Sequence, residues 1–246
     1  MVPAPHLWRP PAASSACRAV LPLCLLLAAT IPFHPAAAQL DGSVTLSSEA
    51  RLRGRPVSEH RPVAELQLSY DGRSGLYLGG SAALAATRGA GVEPLSFSGY
   101  AGLVRRISRS TAIDLGIVHS SYSEYSGIAG GGYTEAYVGV TGRNLSARLF
   151  VSPAYFQRNA PTLYAEVNGN LDLGRDWTLL VHAGQLTYLR EHPGRGQASD
   201  WRIGLRHQIG RAHMEAAWSG YAEGERAYGA SGGNGNAMVA ALSLAF

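Results

Sequence analysis

His119-Ser120-Ser121 is where a base and a nucleophile stand close together in this chain. In an extended chain, residues two apart share a face, so His119 and Ser121 present an imidazole and a hydroxyl side by side. A histidine activates a serine only at hydrogen-bond distance and when a third group orients it. Glu124 and Glu135 are the candidate orienters. The plainer reading is a pair of polar residues near a strand end.

A larger set of charged residues suggests different chemistry. Glu49, Arg51, Arg53, Glu65, Asp114, Glu135, Arg148, Glu166, Asp172, Arg202, Arg206 and Glu215 fall on the polar side of stretches whose alternate residues are apolar. Charged rings lining a pore set ion selectivity through their local field. The alternative is that they pair with one another and fill a narrow barrel. Carboxylates outnumber arginines among them, a modest acidic lean that a one-residue register slip would remove.

Other chemistries have little support. His182, His207 and His213 lack metal-ligand spacing. No lysine occurs, so a phosphate-binding GxxxxGK[ST] loop is absent despite 30 glycines. Both cysteines, Cys17 and Cys24, lie near the amino terminus. We expect no metal, no cofactor, no enzymatic activity and no nucleic-acid partner.

The first 38 residues read as a secretory leader. Arg9 and Arg18 precede an apolar run from Ala19 to Ile31, and Ala36-Ala37-Ala38 offers a small-residue cleavage site before Gln39. Pro22 interrupts that run and Pro32 ends it, so it does not read as a spanning helix. Without Arg9 and Arg18, the 21 arginines fall to 19 against 17 acidic residues, a net charge of only +2. The high pI therefore owes much to the leader.

The remainder, 39–246, reads as one all-β domain. Twelve strand candidates follow in order: Ser43–Gly54, Arg61–Tyr70, Gly75–Thr87, Leu95–Ile107, Thr111–Tyr125, Tyr133–Thr141, Leu145–Phe156, Thr162–Leu173, Trp177–Arg190, Asp200–Ile209, Ala212–Glu223 and Asn236–Phe246. Most have the length of a tilted strand that crosses a bilayer. Their connections alternate. Tight turns such as Gly142-Arg143-Asn144 and Gly210-Arg211 follow the even strands. Longer stretches such as 55–60, 88–94, 126–132, 191–199 and 224–235 follow the odd ones. Short turns at one end and long loops at the other mark a transmembrane antiparallel up-and-down β-barrel of about twelve strands. Tyr122, Tyr125, Tyr133, Tyr155, Phe156, Tyr164, Tyr188 and Tyr221 lie near the long-loop ends, and Tyr70, Trp177 and Phe246 near the short-turn ends. That placement predicts two interfacial girdles.

The last strand carries its own signal. Met238, Ala240, Leu242, Leu244 and Phe246 recur at every second position, and Phe246 is the final residue. An aromatic terminus after alternating apolar residues resembles the signal read by the barrel assembly machinery of bacterial outer membranes. As strand twelve it should pair with Ser43–Gly54 and turn Leu242 and Leu244 to lipid.

Short motifs along the chain resemble the TorF-like porin family of proteobacterial outer membranes. Arg53-Gly54, Ser58 and Pro62 are spaced like its opening motif, and Ser74-Gly75-Leu76-Tyr77-Leu78-Gly79 is similar to the next. Tyr100-Ala101-Gly102, Asp114-Leu115-Gly116, Tyr133, Glu135, Tyr137, Gly139, Ser152-Pro153, Tyr155, Tyr164 and Glu166 continue the likeness over nearly the whole domain. The resemblance implies an outer-membrane porin passing small polar solutes. His119 and Ser121 also resemble the H-x-S arrangement of outer-membrane lipid deacylases, which gives a second reading. A third is a closed barrel whose long loops bind an extracellular partner.

If the faces of the last strand are assigned correctly, Leu244→Asp impairs assembly far more than Ser243→Asp. The fraction of heat-modifiable, folded barrel recovered from membranes measures this, and equal recovery would reverse the assignment.

Overall fold

The computed structural model describes residues 38–246 except 88, 90, 127–129, 191–196 and 224–233. The expected leader lies outside the described residues apart from Ala38, which opens the first strand. In chain order the strands are β1 (Ala38–Ser47), two short strands β2 (Arg51–Leu52) and β3 (Arg55–Pro56), then β4 (Val63–Gly72), β5 (Leu76–Thr87), β6 (Gly91–Arg106), β7 (Ala112–Tyr122), β8 (Gly131–Thr141), β9 (Leu145–Ser152), β10 (Thr162–Gly174), β11 (Trp177–Tyr188), β12 (Ala198–Ile209), β13 (Ala212–Glu223) and β14 (Asn234–Ala245). All but β2 and β3 form a closed barrel of twelve strands, each antiparallel to its neighbours. β2 and β3 pair only with each other.

Alternation along the strands fixes which face meets lipid. Leu66, Leu68, Leu115, Ile117, Val138, Val140, Ile203, Leu205, Leu242 and Leu244 are exposed on the outer wall. A continuous apolar surface of this kind is untenable in water. Hydrocarbon accepts it, and closure leaves no free sheet edge across the bilayer. The opposite residues, including Asp114, Glu135, Ser219 and Ser243, are buried inside.

The closing seam runs between the first and last strands. Ser43 stands opposite Ala245 and Ser47 opposite Ala241. Inside, the Thr45 and Ser243 hydroxyls lie 2.8 Å apart. The final residue extends the seam: the Phe246 amide donates to the Gly42 carbonyl at 2.9 Å, and the Gly42 amide donates to the Phe246 carbonyl at 3.2 Å. The Phe246 ring covers Gly42, where a Cβ would collide with it.

Three expectations need correction. The first strand ends at Ser47, not Gly54. Ser48 still donates its amide to the Ala240 carbonyl at 2.9 Å, but its hydroxyl accepts the Ala240 amide at 3.1 Å, and the backbone ladder stops there. The connection expected over 88–94 shrinks to 88–90, because β6 already begins at Gly91. Pro94 is accommodated by a bulge in the β5–β6 ladder, a usual place for a strand proline. The adjacent Leu95 is wholly buried. Finally, the girdle expected at the long-loop end is largely internal. Tyr125 is exposed, but Tyr133, Tyr155 and Tyr164 are buried together in the interior. Tyr133 and Tyr164 share strand parity with Glu135 and Glu166, so the pleat turns them inward.

Because the ring of Phe246 occupies the space above Gly42, Gly42→Val should destabilise the barrel by roughly 1–3 kcal/mol through overpacking. In a Phe246→Ala background the same change should cost less. Urea unfolding in lipid vesicles measures both, and identical costs would show that the contact does not matter.

Candidate functional site: a charged lumen with an internal hairpin

After Ser48 the chain leaves the wall at the long-loop end and crosses the interior. β2 and β3 form a hairpin, with Leu52 opposite Arg55. The two residues between them, Arg53 and Gly54, have φ of 48° and 74°. Paired positive φ values belong to the tight hairpin turn that matches strand twist, and glycine suits its second place. Ser58 ties the base: its hydroxyl accepts the Ala50 amide at 3.0 Å and donates to the Arg61 carbonyl at 2.8 Å.

Packing pins the hairpin to opposite sides of the barrel. Val57 joins Val63, Ala83, Ala85 and Leu95 from β4, β5 and β6 in a small apolar cluster. At the tip, a Cβ on Gly54 would strike the Gly220 carbonyl on β13 and lie 2.9 Å from the Asp200 Cβ on β12. Arg55 donates to Glu223 on β13 at 3.1 Å.

The tip arginine enters an aromatic box. Arg53 donates from Nη2 to both carboxylate oxygens of Glu135 at 2.7 and 2.8 Å. Its guanidinium carbon sits 3.8 Å above the Tyr164 ring and 4.8 Å from the Tyr155 ring. The Arg53 and Glu135 side chains are only 7 % and 3 % exposed. Stacking on aromatic faces adds to the ion pair at this buried site. Nearby, Glu49 accepts from Arg51 and pairs with His60, and Arg51 also donates to the Gly54 carbonyl.

Beneath the hairpin the lumen holds two cavities bordered by charged and hydroxylated side chains. One cavity of about 580 Å³ is lined by Glu135, Glu166, His182, Asp200, Arg202, Arg206 and Glu215 among others. A second, of about 600 Å³, is lined by Tyr77, Asp114, Tyr137 and Arg148 among others. Val118, Thr141 and Phe150 line both, so the two adjoin.

Nine of the twelve charged positions singled out by alternation lie on inward faces of wall strands. Asp114 is buried, accepts the Tyr77 hydroxyl and pairs with Arg148 at 3.3 Å. Glu215 takes both Arg202 and Arg206. Glu166 accepts the Asn168 amide at 3.2 Å. Glu65 stands opposite Thr45 in the ladder. Asp172 sits at the rim, where its carboxylate accepts the Gly174 amide at 2.8 Å and caps a turn. The other three, Glu49, Arg51 and Arg53, are inside but on the hairpin segment rather than the wall.

Asp200, absent from the charged set, completes the site with His182, a histidine whose sequence reading is pore-lining or interfacial. Asp200 is buried, accepts the Tyr164 hydroxyl at 3.1 Å and pairs with His182 Nε2 at 2.7 Å. His182 Nδ1 meets the Asn168 side chain at 2.7 Å. The signal was available: Asp200 is two residues before Arg202, so the pleat gives them one face.

His119 and Ser121 point outward and are directed to separate partners. His119 Nδ1 lies 2.9 Å from the Thr134 hydroxyl, and Ser121 donates to the Phe97 carbonyl at 3.4 Å. Glu135, one proposed orienter, is turned inward to Arg53. His207 stacks on Trp177 on the outside, with ring centroids 4.5 Å apart. Among the described residues, no three histidines or carboxylates are grouped to hold a metal.

Comparison with known proteins agrees with this architecture. Residues 34–242 match a family described as a bacterial protein of unknown function (Gcw_chp). No functionally curated protein matches the chain. Among solved structures, the NanC porin is similar with a TM-score of 0.56 at 9 % identity, over 84 % of this chain and 99 % of that one. The KdgM porin gives 0.53 at 12 % identity, over 84 % and 99 %. At such identities the likeness is one of fold. Together with the apolar outer wall, it makes this chain a bacterial outer-membrane barrel.

The Arg53–Glu135 pair gives a direct test of the hairpin's anchoring. Arg53→Met strands the Glu135 carboxylate in a buried site and should destabilise the barrel by about 3–5 kcal/mol. Arg53→Met/Glu135→Leu, which removes both charges, should recover most of that loss. Equal unfolding midpoints for Arg53→Met and wild type would show that the pair does not anchor the hairpin.

Proposed function

The chain belongs to the Gcw_chp family of bacterial proteins of unknown function, and we propose that it is a porin-like channel through which small polar solutes diffuse passively. The observation that carries this reading is the pair of adjoining cavities beneath the hairpin, bordered by charged and hydroxylated side chains. A barrel whose only task was to stand in the membrane would have its interior filled by side chains. Here charged and hydroxylated residues border unfilled space, which is what a hydrated solute path requires.

In this reading the hairpin is the constriction. It spans the mouth on the long-loop side, and its position is set by contacts on β4–β6, β8, β10, β12 and β13 rather than by a loose loop. Solute size is therefore limited at Arg53 and Gly54. Asp114, Arg148, Glu166, Arg202, Arg206 and Glu215 line the wider part below, and Glu65 stands higher, near the long-loop end of β4. The resemblance to TorF-like porins supports the same function, since its opening motif, Arg53-Gly54 with Ser58 and Pro62, builds the hairpin. In the same reading, the remaining partners are outer-membrane lipid along the wall and the assembly machinery at β14 and Phe246.

Purified, folded protein reconstituted in planar bilayers should give discrete conductance steps. Replacing Arg51–Pro56 by a short Gly-Ser link should raise the step size severalfold. Absence of steps from folded wild type would overturn the channel reading. Steps of unchanged size in the replaced variant would overturn the hairpin's role as constriction.

A further inference from the structure

Arg202 and Arg206 lie four residues apart on β12 and share its lumenal face. They converge on one carboxylate, Glu215 of β13. Arg202 donates to one of its oxygens, and Arg206 donates from Nη2 to the other at 3.0 Å. One negative charge against two positive ones leaves a surplus cation. The arrangement in depth matters as much as the count. The Glu215 side chain is 6 % exposed, while those of Arg202 and Arg206 are 41 % and 39 % exposed. The carboxylate lies beneath and the guanidinium groups stand in front, facing the cavity. Arg202 Nε is shielded from solvent and has no partner in the protein.

The other charges of this cavity are engaged differently. Arg53 is buried against Glu135, and Asp200 is held by His182 and Tyr164. Glu166 lines the same space and accepts an amide from Asn168. Its charge opposes entry of highly charged anions and favours a solute with a single acidic group among hydroxyls or amines.

We propose that Arg202 and Arg206 form an oxyanion-binding site in the lumen for small polar solutes that carry a carboxylate or a phosphate. Planar guanidinium groups suit both, because each offers paired donors matched to two oxygens. A cavity of about 580 Å³ has room for a whole solute rather than a bare ion. The inference rests on the channel reading for how the solute arrives, but binding itself does not require conduction.

Calorimetric titration of the folded protein in detergent micelles, with inorganic phosphate and separately with gluconate, tests the site. Saturable binding of at least one is expected, and the two arms tell phosphate preference from carboxylate preference. Arg202→Gln/Arg206→Gln should weaken binding roughly tenfold or more, the size expected for lost charge-assisted hydrogen bonds. Because that variant strands Glu215, Arg202→Gln/Arg206→Gln/Glu215→Gln serves as the neutral counterpart and should lose binding too. Glu215→Gln alone should tighten it. Binding of neither anion, or undiminished binding in the triple variant, would overturn the site. Intact binding without conductance would overturn the channel instead.

Discussion

A backbone amide in hydrocarbon has no water to turn to, so each one must find a partner within the chain. That constraint shapes everything else here. It forces the first strand to meet the last, while the hydrocarbon itself sets the outer wall to apolar side chains such as Leu, Ile and Val whatever the interior does. The seam between β1 and β14 meets it economically: five residue pairs, extended by Phe246 and Gly42 at one end and by Ser48 at the other. Beyond Ser48, the described part of β14 has only β13 beside it. The chain is free to leave the wall there because that level is the long-loop rim.

What the chain does on leaving the wall is governed by charge. Crossing the interior supplies Glu49, Arg51, Arg53 and Arg55 each with a counter-charge. A buried ion pair adds little stability over an apolar replacement, yet it tolerates no substitute geometry. The hairpin is thus positioned more sharply than it is stabilised. In the lumen below, the same pairing rule acts without full burial. Asp114 and Glu215 sink against the wall and arginine heads reach over them, so the charge presented to the lumen differs from the charge counted along the chain.

Much of the barrel was legible because alternation and turn spacing are local. The turn at 142–144 and the faces of β10, β12 and β13 needed no knowledge of partners. The end of β1 was not legible in that way. Leu52 alternates with Arg51 and Arg53 as well as any strand residue does, and a period of two does not say which ladder a strand joins. Gly54 was the available clue, since a two-residue turn ending in glycine lies between the charged pairs. The buried tyrosines were hidden by a competing rule. Their nearness to strand ends suggested the membrane interface, whereas their parity with Glu135 and Glu166 had already placed them inside. The anchoring of Arg53 by Glu135 joins residues 82 apart, and nothing local announces it.

Those separations carry a consequence for the order in which the protein matures. The hairpin follows the first strand, but its tip contacts Gly220 and Asp200, and Arg55 reaches Glu223, 168 residues later. Contacts so distant along the chain form late, after the entropy of closing the intervening loops has been met. The partners of the tip are brought opposite it only by the near-complete sheet. The hairpin therefore takes its final seat only once β12 and β13 stand in the sheet. A seated hairpin is in effect a record that assembly has finished.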